Sequence, residues 1–222
     1  MSSTSTTEKP RLVVLISGSG SNLQAFIDSA ADGTLCATVA AVISNRPGVM
    51  GLERASKAGI PTQVVDHKEF PDRESFDTAL GDCIDQFQPD AVILAGFMRI
   101  LTPGFIRRYQ GRMLNIHPSL LPKYPGLHTH LRAIEAGDSE GGATVHFVTE
   151  ELDGGPPVLQ ARVPILSGDD ADALAKRVLG YEHQIYPLAA QWLCEGRLTM
   201  ENGRALLDNE VLPETGYPFS EG

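Results

Sequence analysis

The sequence predicts an α/β fold with a doubly wound, mostly parallel Rossmann-like sheet and an antiparallel C-terminal portion. Short apolar runs such as Arg11–Ser17 (RLVVLIS) and Ala91–Ala95 (AVILA) have the nearly continuous hydrophobicity of strands buried on both faces. Segments with apolar residues at helical spacing alternate with these runs, as they do in sheets built from βαβ units. In the second half, alternating runs flank a glycine-rich turn, which is typical of an antiparallel pair.

The first half of the chain supplies the parallel part of the predicted sheet. After the strand Arg11–Ser17, the run LQAFIDSAADG predicts a helix because its apolar residues recur at helical spacing. In the last helix of this half, Thr102 is the expected N-cap and Pro103 the first helical residue. The remaining predicted elements, up to the strand that carries Asn115 and His117, are Thr38–Ser44, Met50–Gly59, Thr62–Val65, Asp72–Phe87, Ala91–Ala95 and Thr102–Tyr109.

The second half predicts a hairpin and a long helix. A helix near Leu131–Ala136 is followed by the alternating run Ala143–Thr149, the turn ELDGGP and the return run Val158–Ile165. Asp170–Glu195 is predicted as a long helix, and the residues after Gly196 as irregular structure. We divide the chain into a disordered N-terminal tail, residues 1–10, and a single domain, residues 11–222.

Composition excludes several classes of function. The chain has 222 residues and a formal net charge of −10, which argues against nucleic acid as a partner, since phosphate binding needs clustered Lys and Arg. Cys36, Cys83 and Cys194 are scattered and predict neither a disulfide framework nor a zinc site. The polar opening MSSTSTTEKP lacks the apolar core of a signal peptide or membrane span. We expect a cytoplasmic protein without a membrane partner, either a monomer or a homodimer.

A glycine-rich loop, Gly18–Asn22 (GSGSN), lies between a predicted buried strand and a helix. Glycines let backbone N–H groups approach an anion, and a helix N-terminus favours negative charge. The loop is neither GxGxxG, because Leu23 takes the last glycine position, nor a Walker A loop. It predicts a site for one phosphate, and the alternative is a tight βα turn without a ligand. A dinucleotide-dependent oxidoreductase is disfavoured because the second strand ends in Ser44-Asn45-Arg46 rather than in an acidic residue.

Asn115 and His117 lie two residues apart at the end of a predicted strand, so their side chains share one face. Pro118 ends that strand, and open α/β sheets bind ligands at such strand ends. Asp153 lies in the turn ELDGGP. It is either a turn former or, where the fold brings it to His117, a carboxylate that orients the imidazole.

The segment Leu94–Leu101 (LAGFMRIL) runs from a strand end into an apolar stretch. It predicts either a wall for a flat aromatic ligand or a hydrophobic turn packed in the core. His128 and His130 have no third ligand at convincing spacing, so we expect no metal. His146 is interpreted as a core or supporting histidine. Glu182 lies inside the long helix, where a charged residue usually faces solvent.

Four segments together resemble the phosphoribosylglycinamide formyltransferases, folate-dependent enzymes of purine synthesis: VVLISGSGSNLQA, LAGFMRIL, LNIHPSLLPKYPGLHTH and HFVTEELDGGPPVLQ. The likeness runs from about Arg11 to about Tyr217. It implies the formyltransferase fold. It also implies transfer of a formyl group from the co-substrate 10-formyltetrahydrofolate to the amine of phosphoribosylglycinamide, with only small-molecule partners and no metal.

The resemblance also assigns roles to individual residues. It implies a catalytic trio of Asn115, His117 and Asp153. The residues that it implies for the ribonucleotide are Gly20, Ser21, Asn22 and Glu182. Those that it implies for the folate are Arg73, Met98, Arg99, Ile100, Leu101 and Asn115. The chain has Ser19 where some relatives carry Asn, but neither this nor the second proline of GGPPVL alters an assigned position.

Two related families share the implied trio. Methionyl-tRNA formyltransferase usually carries an added C-terminal domain and must attract tRNA, which an acidic chain of this length does not suit. Formyltetrahydrofolate hydrolase usually has an additional N-terminal domain, whereas the first strand here begins at Arg11. The hydrolase is kept as the alternative function. A non-catalytic nucleotide-binding module leaves the trio unexplained.

Overall fold

The computed structural model describes residues 7–221. Its helices are α1 Ser21–Asp32, α2 Met50–Lys57, α3 Arg73–Asp85, α4 Pro103–Arg108, α5 Thr129–Glu135 and α6 Ala171–Cys194. Its strands are β1 Arg11–Ile16, β2 Thr38–Ser44, β3 Thr62–Val64, β4 Ala91–Leu94, β5 Met113–His117, β6 Glu140–Phe147, β7 Pro157–Pro164, β8 Leu198–Glu201, β9 Arg204–Leu207, β10 Glu210–Val211 and β11 Tyr217–Pro218.

The central sheet confirms the predicted fold class. Its strand order is β11-β7-β6-β5-β4-β1-β2-β3. The pairs from β3 through β2, β1 and β4 to β5 are parallel, whereas β5/β6 and β6/β7 are antiparallel. The chain moves outward from β1 to β3 and then returns to β4 on the other side of β1. In open sheets, ligands bind beyond the carboxyl ends of the strands at such a reversal.

Helix starts follow from local sequence. Thr102 caps α4 by accepting a hydrogen bond from the Phe105 N–H at 3.3 Å, with Pro103 as the first helical residue, as predicted. Asp170 caps α6 by accepting from the Ala173 N–H at 2.8 Å. Each cap fixes the residue at which its helix begins. The residues before the cap therefore stay in the loop at the carboxyl edge of the sheet.

Two helical layers cover the sheet. On one face, α1 and α6 meet through an edge-to-face contact between Phe26 and Tyr186, with ring centroids 5.1 Å apart. On the other face, α3 and α4 pack through a second buried cluster that includes Phe76 and Phe105. The Tyr186 hydroxyl lies 2.7 Å from the Leu94 carbonyl and 2.9 Å from that of Leu114. This contact fixes α6 against two adjacent strands near the predicted site.

The prediction of irregular structure after Gly196 is wrong. Strands β8, β9 and β10 form a separate antiparallel sheet, and β11 pairs in parallel with β7. The β8–β9 turn contains Asn202 and Gly203, both with positive φ, which is the commonest short signal for a hairpin. These strands have four residues or fewer, so their hydrophobic pattern is too short to reveal them.

The predicted N-terminal tail lies partly outside the described residues, which exclude residues 1–6. Residues 7–10 form neither helix nor strand, and the Pro10 carbonyl already accepts a hydrogen bond from the Thr38 N–H at 2.8 Å. The division into a disordered tail and one domain stays a prediction. Within the part of the chain that is described, no helix has the length and apolar character needed to cross a bilayer.

Candidate active site

A cavity of about 300 Å³ lies where the strand order reverses. It is formed by the loop after β1, by Arg46, which follows β2, and by the residues that follow β4. The lining residues are Ser17, Gly18, Ser19, Gly20, Ser21, Asn22, Arg46, Ala95, Gly96 and Met98. The predicted phosphate loop and the beginning of the predicted apolar wall therefore share one cavity.

The backbone of the loop requires glycine. Gly20 has φ +73° at the N-cap of α1, and a Cβ there would lie 2.9 Å from the Gly51 Cα. The Gly18 carbonyl accepts from the Gly51 N–H at 3.0 Å, and the Ser19 carbonyl accepts from Arg54 Nε at 2.7 Å. Both carbonyls are thus held by α2. The first N–H groups of a helix have no intrahelical partner, so the start of α1 is suited to an anion.

Glu182 faces this loop and not solvent, so the solvent-exposed interpretation is wrong. The residue is 7% exposed, and its Oε1 accepts from Asn22 Nδ2 at 3.3 Å. The second amide atom, Asn22 Oδ1, is buried without a hydrogen-bond partner among the described residues. Burial raises the pKa of Glu182, partly offset by the bond from Asn22. A buried carboxylate with so little pairing costs stability, which marks it as a functional candidate.

His117 and Asp153 meet across the fold. The two side chains are each 8% exposed, and His117 Nδ1 lies 3.5 Å from Asp153 Oδ2. This distance suits an ion pair and exceeds that of a good hydrogen bond. The other ring nitrogen, Nε2, lies 2.8 Å from the Tyr124 carbonyl, which can only accept a hydrogen bond, so Nε2 carries the hydrogen. Both nitrogens therefore face oxygen acceptors.

The loop between β5 and α5 holds both members of this pair. Its Gly126 N–H donates to Asp153 Oδ2 at 3.0 Å, and its Tyr124 carbonyl contacts His117. Tyr124 has φ +53°, and its hydroxyl donates to Asp138 Oδ2 at 2.7 Å. The hydrogen bond from the Tyr124 hydroxyl fixes the loop. It therefore also fixes the direction in which the Tyr124 carbonyl points. Sequence reasoning did not find Tyr124, because its contribution is a backbone atom.

Asn115 lies on the same face of β5 as His117. Its neighbours in the sheet are Leu94 on β4 and His146 on β6. Within residues 7–221, no hydrogen bond from another protein group occupies its side-chain amide. The amide is therefore available to a bound ligand.

Two further histidines lie near the pair. His146 is 3% exposed and donates from Nδ1 to the Phe147 carbonyl at 2.9 Å, while its Nε2 lies 3.9 Å from Asp153 Oδ1. Burial lowers the pKa of His146 and favours its neutral form. Burial and the nearby His117 both lower the pKa of His130. No group of three or more His, Cys, Asp or Glu residues suited to a metal occurs within residues 7–221.

The segment Met98–Leu101, called the wall segment below, is partly exposed. Met98 and Ile100 are 66% and 56% exposed, whereas Leu101 is buried. A hydrophobic turn packed in the core therefore describes Leu101 but not the other two. The Arg99 guanidinium carbon lies 5.1 Å from the centre of the Phe76 ring, and Arg99 Nε is buried without a partner among the described residues.

Two further basic residues, Arg73 and Arg46, lie on α3 and after β2. Arg73 is exposed and opens α3, the helix that also carries Phe76. Arg46 follows β2 and lines the cavity beside the phosphate loop, where it adds positive charge. Sequence reasoning missed Arg46 as a site residue. Its position directly after a strand of the predicted parallel sheet was the available signal.

Comparisons with known proteins agree with this geometry. A family model described as "Formyl transferase" matches residues 10–190. The phosphoribosylglycinamide formyltransferase of Escherichia coli is 55% identical over 210 residues, which cover 95% of this chain and 99% of the relative. That of Haemophilus influenzae is 50% identical and covers 93% of this chain.

Solved structures show the same likeness. The phosphoribosylglycinamide formyltransferase of Coxiella burnetii superposes with a TM-score of 0.93 at 48% identity, covering 96% of this chain and all of that one. A formyltetrahydrofolate deformylase from Pseudomonas syringae is more distant, with a TM-score of 0.83 and 27% identity. It covers 90% of this chain but 66% of its own. The resemblance found in the sequence is confirmed, and the chain belongs to the formyl transferase family.

Proposed function

We propose that this enzyme transfers the formyl group of 10-formyltetrahydrofolate to the amine of phosphoribosylglycinamide in de novo purine synthesis. The products are formylglycinamide ribonucleotide and tetrahydrofolate. The contact between His117 and Asp153 is the observation that carries the proposal, and Asn115 on the same strand face and the phosphate-loop cavity support it. The names of the most similar relatives support it.

The reaction sets two problems that the trio addresses. As the amine attacks the formyl carbon, negative charge develops on the formyl oxygen. We assign the Asn115 amide and the His117 imidazole to donate hydrogen bonds to that oxygen, and loss of one such donor typically costs about 10²–10³ in rate. The leaving nitrogen of the folate must also gain a proton. His117 supplies that proton as general acid, a contribution of roughly 10²–10⁴ in rate.

Asp153 keeps the imidazole oriented, with its Oδ2 at 3.5 Å from His117 Nδ1. In this role the carboxylate holds Nδ1, and the Nε2 hydrogen leaves the Tyr124 carbonyl to serve the substrate. The attacking amine must lose a proton, which we assign to Asp153 through a bridging water. No covalent enzyme intermediate is needed.

The ribonucleotide is assigned to the cavity. Backbone N–H groups at Gly20, Ser21 and Asn22 receive its phosphate, assisted by the charge of Arg46. Glu182 lies behind Asn22 and is assigned to the amine of the glycinamide group. An amine that arrives as a cation compensates the buried carboxylate, and it releases one proton to solvent before it attacks, since only the neutral amine is a nucleophile.

The folate is assigned to the wall segment together with Arg73. Exposed Met98 and Ile100 offer apolar surface to a flat ring, and the unpartnered Nε of Arg99 offers a donor. These features fit 10-formyltetrahydrofolate, which brings the formyl group to the trio.

A location in the cytoplasm and a monomeric or homodimeric state stay predictions.

The alternative is hydrolysis of 10-formyltetrahydrofolate, the activity named for the deformylase from Pseudomonas syringae. The phosphate loop and buried Glu182 favour a transferase, because a hydrolase has no need of a ribonucleotide amine. Purified protein should release tetrahydrofolate from 10-formyltetrahydrofolate only when phosphoribosylglycinamide is present. Equal release with and without that acceptor would instead establish the hydrolase.

Replacing either member of the His117–Asp153 pair should reduce turnover and leave ribonucleotide binding nearly unchanged. We expect His117→Ala and Asp153→Asn to lower kcat by about 10²–10⁴, because each removes acid catalysis or the orientation of the acid. Steady-state kinetics measure both parameters. Asn22→Ala provides the opposite pattern, with a raised KM for the ribonucleotide and a largely retained kcat. Unchanged kcat in either pair variant would contradict its role.

Replacing Glu182 by Gln should weaken substrate binding but stabilise the free protein. We expect the ribonucleotide KM to rise by about tenfold or more, since a charge-assisted contact to the amine is lost. Burial raises the pKa of Glu182, so the wild type loses stability as pH rises through that value. Urea unfolding without substrate should therefore show the variant to be more stable at pH 8, with the difference shrinking toward pH 4. A variant less stable than wild type at pH 8 would contradict this interpretation.

A further inference from the structure

The wall segment is held at both ends by buried polar side chains from distant parts of the chain. At its start, the Met98 N–H donates to Ser17 Oγ at 2.8 Å. Just beyond its end, the Thr102 N–H donates to Asp77 Oδ2 at 2.7 Å. Between these two anchors, Met98 and Ile100 stay exposed. The two anchors therefore fix the backbone on either side of these exposed apolar side chains.

The first anchor is oriented by a buried network. Ser17 is 3% exposed, and its hydroxyl donates to Asn45 Oδ1 at 2.5 Å. A hydroxyl has one hydrogen, so this bond leaves only its lone pairs for the Met98 N–H. Asn45 is 1% exposed, and its Nδ2 lies 3.2 Å from His67 Nδ1. The Ser17 oxygen is thus fixed as an acceptor.

The second anchor is a buried carboxylate. Asp77 is 4% exposed on α3 and lies next to Phe76, whose ring supports the Arg99 guanidinium. Burying a carboxylate costs stability, and the hydrogen bond from Thr102 at the start of α4 offsets part of that cost. Neither Ser17 nor Asp77 is required by the chemistry of the trio.

We infer that Ser17 and Asp77 are positioning residues that hold the wall segment in its folate-binding shape. The identity of the ligand rests on the proposed function. A preformed wall binds its ligand without first having to order a mobile loop, and the gain is in affinity. Both residues act through backbone N–H groups, so their loss should weaken folate binding and leave the chemical step intact.

The test compares Ser17→Ala, Asp77→Ala and Asp77→Asn with wild type. Calorimetric titration with tetrahydrofolate gives the Kd, and steady-state assays give kcat. We expect the Kd to rise about tenfold in both alanine variants, since each leaves a backbone donor unpaired. At saturating substrates the kcat of the Asp77 variants should change by no more than about twofold. Asp77→Asn should bind like wild type, because its amide oxygen still accepts from Thr102.

Tyr109→Phe is the matched control. Tyr109 is fully buried, and its hydroxyl donates to Asp85 Oδ1 at 2.7 Å and, within the described residues, makes no hydrogen bond to the wall segment. It should lower the melting temperature without changing the Kd. The inference is overturned when the alanine variants bind as wild type does, when Asp77→Asn binds as weakly as Asp77→Ala, or when the control is equally weakened. If the wild-type protein binds tetrahydrofolate but does not formylate the ribonucleotide, the proposed function alone is refuted. If the wild-type protein does not bind tetrahydrofolate, the inference is refuted.

Discussion

The rest of the site depends on the approach of one carboxylate, Asp153, to one imidazole, His117, with 3.5 Å between the nearest atoms. The antiparallel part of the sheet makes this approach possible. Strand β5 pairs with β6 so that His117 lies opposite Thr144, and the β6–β7 turn then carries Asp153 back over the end of β5. Gly155 is required in that turn, because a Cβ would collide with the Phe147 carbonyl.

The parallel part of the sheet supplies what this pair acts upon. The carboxyl ends of β1, β2 and β4 meet at the reversal of strand order, and each contributes a residue to the same cavity: Gly20, Arg46 and Met98. The proposed donor and acceptor sites therefore lie side by side. His117 of the proposed catalytic pair lies at the carboxyl end of the next strand, β5, so a bound formyl group and a bound amine are proposed to meet beside it.

Much of this arrangement could be predicted from the sequence. Strands such as Thr38–Ser44 are continuous apolar runs, and the Thr102 cap followed by Pro103 marks the start of its helix without ambiguity. The shared face of Asn115 and His117 follows from strand alternation alone. These features are local, so a single segment contains all the information that determines them.

Other features depend on contacts between distant segments. Glu182 faces the phosphate loop because α6 packs across α1, and no pattern within the helix distinguishes that side from the solvent side. Strand β11 forms by pairing in parallel with strand β7, which is distant in the sequence. Tyr124 and Ser17 make hydrogen bonds to partners that only the fold brings near. The family resemblance assigned Glu182 to the ribonucleotide, whereas the residues alone would have assigned it to solvent.

A double-mutant cycle on kcat tests most directly whether His117 and Asp153 act as one unit. It compares His117→Ala, Asp153→Asn and the double variant under saturating substrates. Because the carboxylate is proposed to act through the imidazole, the double variant should be no slower than the slower single variant, within about twofold. A double variant whose loss equals the product of the two single losses would show independent roles and contradict the central claim.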